Sequence, residues 1–317
     1  MKSSFFRRAI VPGVTVLAAA LTACGGGAQG SGGEGASGTV AIDGSSTVFP
    51  LSNAAYELLQ GENPNIRATV GQAGTSGGFE KFCAGETDIS DASRPIEPEE
   101  EKACQDGGVE YTELQVAIDA LTVVVHPDLA VDCLTTDQLI QLWEPKSQVD
   151  NWQDLDPSFP DQEIALFGPG TDSGTYDYMA GDVIGAESET TRDDYEASED
   201  DNVLVQGVAG TEGATSYFGY TYYEENADKL KALAIDDGNG CVEPSAETAQ
   251  SGEYTPLSRP LFIYVNSQQY AENDAVKEFT DFYIENLEQI VEAAKFIPLD
   301  EEQLSQTQST LEELQSS

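Results

Sequence analysis

Thr39-Val40-Ala41-Ile42-Asp43-Gly44-Ser45-Ser46-Thr47-Val48-Phe49-Pro50-Leu51 carries three local instructions in one run. Residues 39–42 are short and apolar, as a buried strand requires. Gly44 to Thr47 supply a loop of small side chains. From Pro50 onward, Leu51, Ala54, Ala55, Leu58 and Leu59 fall at three- and four-residue spacing, which predicts a helix over residues 50–60. Strand, small-residue loop and helix in that order form the repeating unit of an α/β fold. The first N–H groups of such a helix have no intrahelical acceptor, and small residues let an anion reach them.

The unit recurs along the chain. A strand over residues 66–70 leads to Gly74-Thr75-Ser76-Gly77-Gly78 and a helix beginning over residues 78–84. A strand over 164–167 leads to Gly170-Thr171-Asp172-Ser173-Gly174-Thr175 and a helix over 175–183. Residues 121–125 are a continuous, largely β-branched run of the kind buried inside a sheet, and 261–265 form a late apolar strand. Residues 274–296 read as one amphipathic helix, with Val276, Phe279, Phe282, Tyr283, Leu287, Ile290 and Val291 on one side. This alternation predicts α/β architecture with mainly parallel sheets and flanking helices. Three loops of one composition, rich in hydroxyl donors that add no charge, imply convergence on a single tetrahedral anion.

The ends of the 317-residue chain have their own character. Lys2, Arg7 and Arg8 precede an apolar stretch over 9–20, too short to span a bilayer comfortably, and then Leu21-Thr22-Ala23-Cys24. The last four resemble a bacterial lipobox. The resemblance implies a signal peptide over 1–23 and lipidation of Cys24, with the rival reading an ordinary cleaved signal and an incidental cysteine. Residues 24–38 are nearly all Gly, Ser and Ala, a flexible tether. The expectation is an exported protein, lipid-anchored to the cell membrane and facing the extracytoplasmic side. Residues 299–317 read as a short polar helix.

Removing residues 1–23 takes away three basic residues and no acidic one, moving the formal net charge from −43 to −46. Such an imbalance excludes nucleic acid and argues against an anionic membrane surface as partner. It also means that local donors, not the long-range field, must capture any anion, with salt screening beyond about 8–10 Å assisting them. Four cysteines follow Cys24 and allow three pairings; the expected pair is Cys83–Cys104 with Cys133–Cys241. Their spacing does not suit zinc, and His126 is the only histidine, so no metal or other cofactor is expected.

About 280 residues after the tether suffice for two domains. Residues 127–256 look inserted, with their own strand-loop-helix unit and an acidic stretch over 187–201. The division expected is one lobe from 39–123 plus 257–317 and a second from 124–256. Two crossings between them would leave a cleft at the strand ends, where small ligands bind.

Several motifs then carry a resemblance. Asp43-Gly-Ser-Ser-Thr-Val-Phe-Pro-Leu51, Gly74-Thr-Ser-Gly-Gly-Phe79, Asp88-Ile-Ser-Asp-Ala-Ser-Arg-Pro-Ile96 and Gly168-Pro-Gly-Thr-Asp-Ser-Gly-Thr175 resemble the phosphate-binding protein of the phosphate ABC importer. Tyr217-Phe-Gly-Tyr220 and Pro256-Leu-Ser-Arg-Pro-Leu261 agree, and the similarity runs in order from Thr39 to about Pro298. It implies a two-lobed, hinge-closing periplasmic-binding-protein fold of type II with phosphate held between the lobes. The site it implies takes Ser46, Thr47 and the backbone at Val48 from the first loop. Thr75 and Ser76 come from the second, and Ser173, Gly174 and Thr175 come from the third, on the opposite lobe. The chain departs from the family pattern twice: Pro169 stands where many members have an arginine, and Ser93 where many have an aspartate. Arg94 is then the candidate cation, one of four arginines after the signal (Arg67, Arg94, Arg192, Arg259), unless it bridges Asp91 or another carboxylate. Hydrogen phosphate carries a proton that sulfate lacks, so a carboxylate acceptor is expected, Asp172 ahead of Asp91.

Binding without catalysis is the expected role: capture of inorganic phosphate by a monomer and delivery to transmembrane permease subunits. The rivals are another oxyanion (sulfate, molybdate or arsenate) and an exported phosphatase or hydrolase. Against the hydrolase, no Gly-x-Ser-x-Gly elbow surrounds Ser173 and His126 reads as structural. No Gly-Lys-Ser/Thr follows any Gly-rich run, which excludes a P-loop. The aromatic run over 217–223 reads as core or cleft wall.

Overall fold

A computed structural model of the chain describes residues 36–171, 173–185 and 190–316. Cys24, the signal sequence, most of the tether and Asp172 lie outside the described residues.

The strands are β1 (Gly38–Gly44), β2 (Ile66–Val70), β3 (Ile89–Ala92), β4 (Tyr111–Val125), β5 (Cys133–Thr135), β6 (Ala165–Pro169), β7 (Glu196–Ser198), β8 (Ala214–Gly219), β9 (Lys231–Ala232), β10 (Ala234–Asp236), β11 (Cys241–Val242) and β12 (Ser258–Asn266). The main sheet runs β2-β1-β3-β12-β4-β8-β6-β7, with β9 also on β4, and β11-β10-β5 form a small sheet. β1 is parallel to β2 and β3, and β6 is parallel to β7 and β8. The join between these two parallel sections is antiparallel: β12 against β3 and β4, and β4 against β8. The sheet is therefore mixed rather than mainly parallel. β12 returns from a distant part of the chain and inserts between β3 and β4, and nothing in the apolar pattern of a strand encodes that direction.

β4 is the seam. The 121–125 run is only its last third; the strand starts at Tyr111, and every residue from Val116 to Val125 is buried. Its first part pairs with β12 and its last five residues with β8, so both sections share one strand inside a compact unit, Gly35–Ser317.

Helices α1 (Phe49–Glu62), α2 (Thr75–Cys83) and α3 (Pro98–Gly107) flank β1, β2 and β3. Leu51, Ala55 and Leu59 on α1 are buried at four-residue spacing, and Pro50 sits in the first turn where its missing N–H costs nothing. The third helix starts at Gly174 and changes character: Gly174–Asp177 is α-helical and Tyr178–Val183 is a π-helix. The expected helix over 274–296 is two helices, Asp274–Glu285 and Leu287–Ala294, broken at Asn286. All seven residues of its apolar stripe are nevertheless buried.

Both expected disulfides are present. Cys83–Cys104 ties the end of α2 to α3, and Cys133–Cys241 closes the small sheet from β5 to β11. Tyr217 and Phe218 are fully buried, as an aromatic core run should be. The C-terminal helix, Glu301–Ser316, belongs to the fold: Thr307, Leu311 and Leu314 are buried, and Thr307 Oγ1 donates to the carbonyl of Gln115 on β4 at 2.9 Å.

Candidate functional site

The parallel strands β2, β1 and β3 end on one edge of the sheet, and each delivers a polar segment there. β1 leads to Ser45, Ser46 and Thr47. β2 leads to residues 71–74 and the start of α2. β3 leads to Ser93 and Arg94. β12 runs the other way, so its beginning reaches the same edge: Phe262 pairs with Ala92, and Arg259 lies further out. From the second section, the chain after β6 brings Asp177, Gly181 and Asp182. These segments line a cavity of about 400 Å³ whose walls are Ser45–Thr47, 73–77, Ser93, Arg94, Asp177, Gly181, Asp182 and Arg259.

Close backbone approach fixes the first two loops. Gly44 has φ +143°, and a Cβ there would stand 2.1 Å from the Asp91 carbonyl oxygen; one on Gly78 would meet Gly44 Cα at 2.6 Å. Ser45 N–H donates to the Asp91 carbonyl at 2.9 Å. Asp43 ties the loops together by accepting from the N–H groups of Gly44 and Ala73, each at 2.9 Å, while also pairing with Lys81. Burial pushes its acidity down, but Lys81 and these amides outweigh it and hold the carboxyl below its ordinary value.

Donors dominate the cavity wall. α2 has no side-chain cap, so the first-turn N–H groups at Thr75, Ser76 and Gly77 lack both intrahelical and capping acceptors. Thr75 Oγ1 lies 3.1 Å from Ser93 Oγ and accepts from Ser93 N–H. Thr47 Oγ1 accepts from Arg259 Nη2 at 2.9 Å, and Ser46 Oγ donates to Asp177 Oδ2 at 2.9 Å. Val48 is wholly buried; its carbonyl accepts from Leu51 and Ser52, and its side chain belongs to the core beneath the cavity.

The two guanidiniums differ. Arg94 forks onto Glu100, with both contacts at 2.8 Å, approaches Glu97 at 3.4 Å and donates to Ser76 Oγ at 2.9 Å. Its carboxylate partner is thus Glu100 rather than Asp91, and this pairing, chiefly, stabilises its charge. Arg259 was not among the residues expected in the site. It donates to Thr47, to Asp182 Oδ2 at 2.6 Å and to Asp119 Oδ2 at 3.3 Å, and its guanidinium lies 3.6 Å over the Tyr178 ring. Asp119 is its cross-strand neighbour in the β12–β4 register. Burial pushes Asp119 towards its neutral form, and Arg259 opposes that shift. Of the other arginines, Arg192 is consumed in the core by the carbonyls of Leu142 and Val149, and Arg67 is exposed on β2.

The third loop stands beside the cavity. Ser173 caps its own helix by accepting from Thr175 N–H, and Thr175 lines a separate, smaller cavity that Asp119 also borders. Gly174 lies against the first loop: a Cβ there would be 2.8 Å from Thr47 Oγ1. Asp91 is fully buried behind the first loop, accepts from Ser52 Oγ at 2.8 Å and does not line the cavity. Burial raises its pKa to about 8, against the lowering effect of Ser52. The cavity carboxylates among the described residues are Asp177 and Asp182. His126 follows β4 in a turn, where its Nδ1 accepts from Asp128 N–H.

A family model for the PBP superfamily domain matches residues 29–286. The chain is 48% identical over 263 residues to Protein SphX of Synechococcus elongatus, a match covering 82% of this chain and 77% of that protein. It is 38% identical over 308 residues to the phosphate-binding protein PstS of Staphylococcus saprophyticus, covering 95% and 93% respectively. A crystal structure of a possible phosphate binding protein from Planctomyces limnophilus superposes with a TM-score of 0.84 at 46% identity, over 88% of this chain and 99% of that one.

Proposed function

This chain belongs to the PBP superfamily, and on that premise we propose that it captures inorganic phosphate for an ABC importer. The observation that carries the reading is the donor set of one cavity: the hydroxyls of Ser46, Thr47, Thr75, Ser76 and Ser93, the uncapped start of α2, and two guanidiniums. A tetrahedral oxyanion with four acceptor oxygens uses such a set. The relative named as a phosphate-binding protein gives independent support. Asp177, next to Ser46, is the acceptor for the proton of hydrogen phosphate in this reading. Ser173, Gly174 and Thr175 complete the site on closure, with residues 39–123 plus 257–317 as one lobe and 124–256 as the other. Closure bends the chain where β4 and β12 meet, and the closed form docks on permease subunits. The protein acts as an extracytoplasmic monomer anchored through Cys24, and it binds phosphate without turning over phosphate esters.

Isothermal titration with phosphate, arsenate, sulfate and molybdate tests this. Phosphate should bind tightly, Thr75→Ala should weaken it about tenfold (about 1.4 kcal/mol, one charge-assisted hydrogen bond), and Asp177→Asn should narrow the preference over sulfate. Absence of phosphate binding, or hydrolysis of a phosphate monoester, overturns the reading.

A further inference from the structure

Arg259 has three polar partners, and they are not equivalent. Asp119 is fixed to it by strand register, and the side chains of the pair are each only 11% exposed. Thr47 is buried in the loop just before α1. Asp182 differs on every count. Its side chain is 55% exposed, and it holds Arg259 by one hydrogen bond, Nη1 to Oδ2 at 2.6 Å. It sits on the π-helix Tyr178–Val183, a rare winding that often marks functional sites. Gly181, immediately before it, also lines the cavity, and a Cβ there would have no atom within 4 Å, so the space beside Asp182 is open. The start of the same turn is anchored: Tyr178 stacks under Arg259, and its hydroxyl donates to the Pro256 carbonyl at 2.6 Å. Asp182 also adds to the field at Arg94, so one carboxylate faces both cations of the cavity.

We infer that Asp182 is a built-in competitor for the anion site: it occupies the Arg259 guanidinium, and an entering phosphate takes that guanidinium by displacing it. The inference rests on the phosphate reading above and adds a residue that tunes affinity and selectivity. A dianion cannot join Asp119 and Asp182 around a single guanidinium without strong like-charge repulsion. Asp119 is buried and fixed opposite Arg259 by strand register, whereas Asp182 rotates into water. A monovalent anion such as chloride or nitrate offers too little in exchange for the lost ion pair. Asp182 therefore lowers affinity for every anion and favours those of higher charge.

Titration of inorganic phosphate into the wild type, Asp182→Asn, Arg259→Gln and the double variant tests the exchange. Asp182→Asn should tighten phosphate binding about two- to fivefold, the upper part of the span of a partly exposed ion pair. Arg259→Gln should weaken it by about tenfold or more. In the Arg259→Gln background, Asp182→Asn should bring no gain, because the pair being exchanged is gone. If Arg259→Gln does not fold, Arg259→Lys replaces it in the cycle, with a reduced gain expected. Wild-type binding with unchanged or weaker binding by Asp182→Asn overturns the inference alone, as does an equal gain in both backgrounds. A wild type that binds no phosphate overturns the functional reading along with it.

Discussion

Gly174 and Asp91 show how single residues set the site without lining its cavity. With 2.8 Å between a Cβ at 174 and Thr47 Oγ1, Gly174→Ala must push residues 173–177 away from the first loop. The strain is of the order of 1–3 kcal/mol, so the melting temperature should fall by a few degrees and phosphate binding should weaken about tenfold or more; titration beside a thermal melt would show both. Asp91 gives the stability a pH dependence. Its carboxyl holds its proton up to about pH 8 in the folded chain but ionises near pH 4 when unfolded. Stability from this group is therefore complete below about pH 4 and is lost as the pH rises towards 8. Asp91→Asn, which cannot ionise, should match the wild type near pH 4 and melt several degrees higher near pH 8. Equal melting temperatures at both pH values would contradict the buried, protonated state.

At the level of elements, the site is an edge where strands of opposite direction meet. The three Gly/Ser/Thr loops were legible because small residues, turn geometry and helix starts all leave local marks in sequence, and two of them line the cavity. Arg259 left no such mark. It is one residue in a late apolar strand, and only the antiparallel insertion of β12 beside β3 brings it to the strand ends. Asp177 and Asp182 were likewise hidden among 57 acidic residues. The C-terminal helix is polar in sequence, and its contribution lies in three buried positions on one side. Leu311 is 5% exposed, so Leu311→Ala should cost about 2–4 kcal/mol. A denaturant midpoint unchanged by that substitution would mean that the helix adds nothing to the fold.

Across the whole molecule, a net charge of −43 opposes the ligand proposed for it. Attractive steering makes association slower as salt rises; here the sign reverses. The association rate for phosphate should increase between about 20 and 200 mM salt, as the Debye length falls from about 20 Å to under 10 Å, and stopped-flow fluorescence would follow it. No helix among the described residues is long and apolar enough to cross a membrane. The sequence by itself determined the α/β class, the anion-suited loops and the aromatic core run, because periodicity and small-residue turns are properties of neighbouring residues. Only the tertiary structure decided which of the three cysteine pairings forms, that the sheet is mixed, and that Arg259 with Asp177 and Asp182 stands at the cavity. Those outcomes depend on strand direction and on contacts between segments up to 212 residues apart, as between Thr47 and Arg259. Local patterning carries no record of such distances.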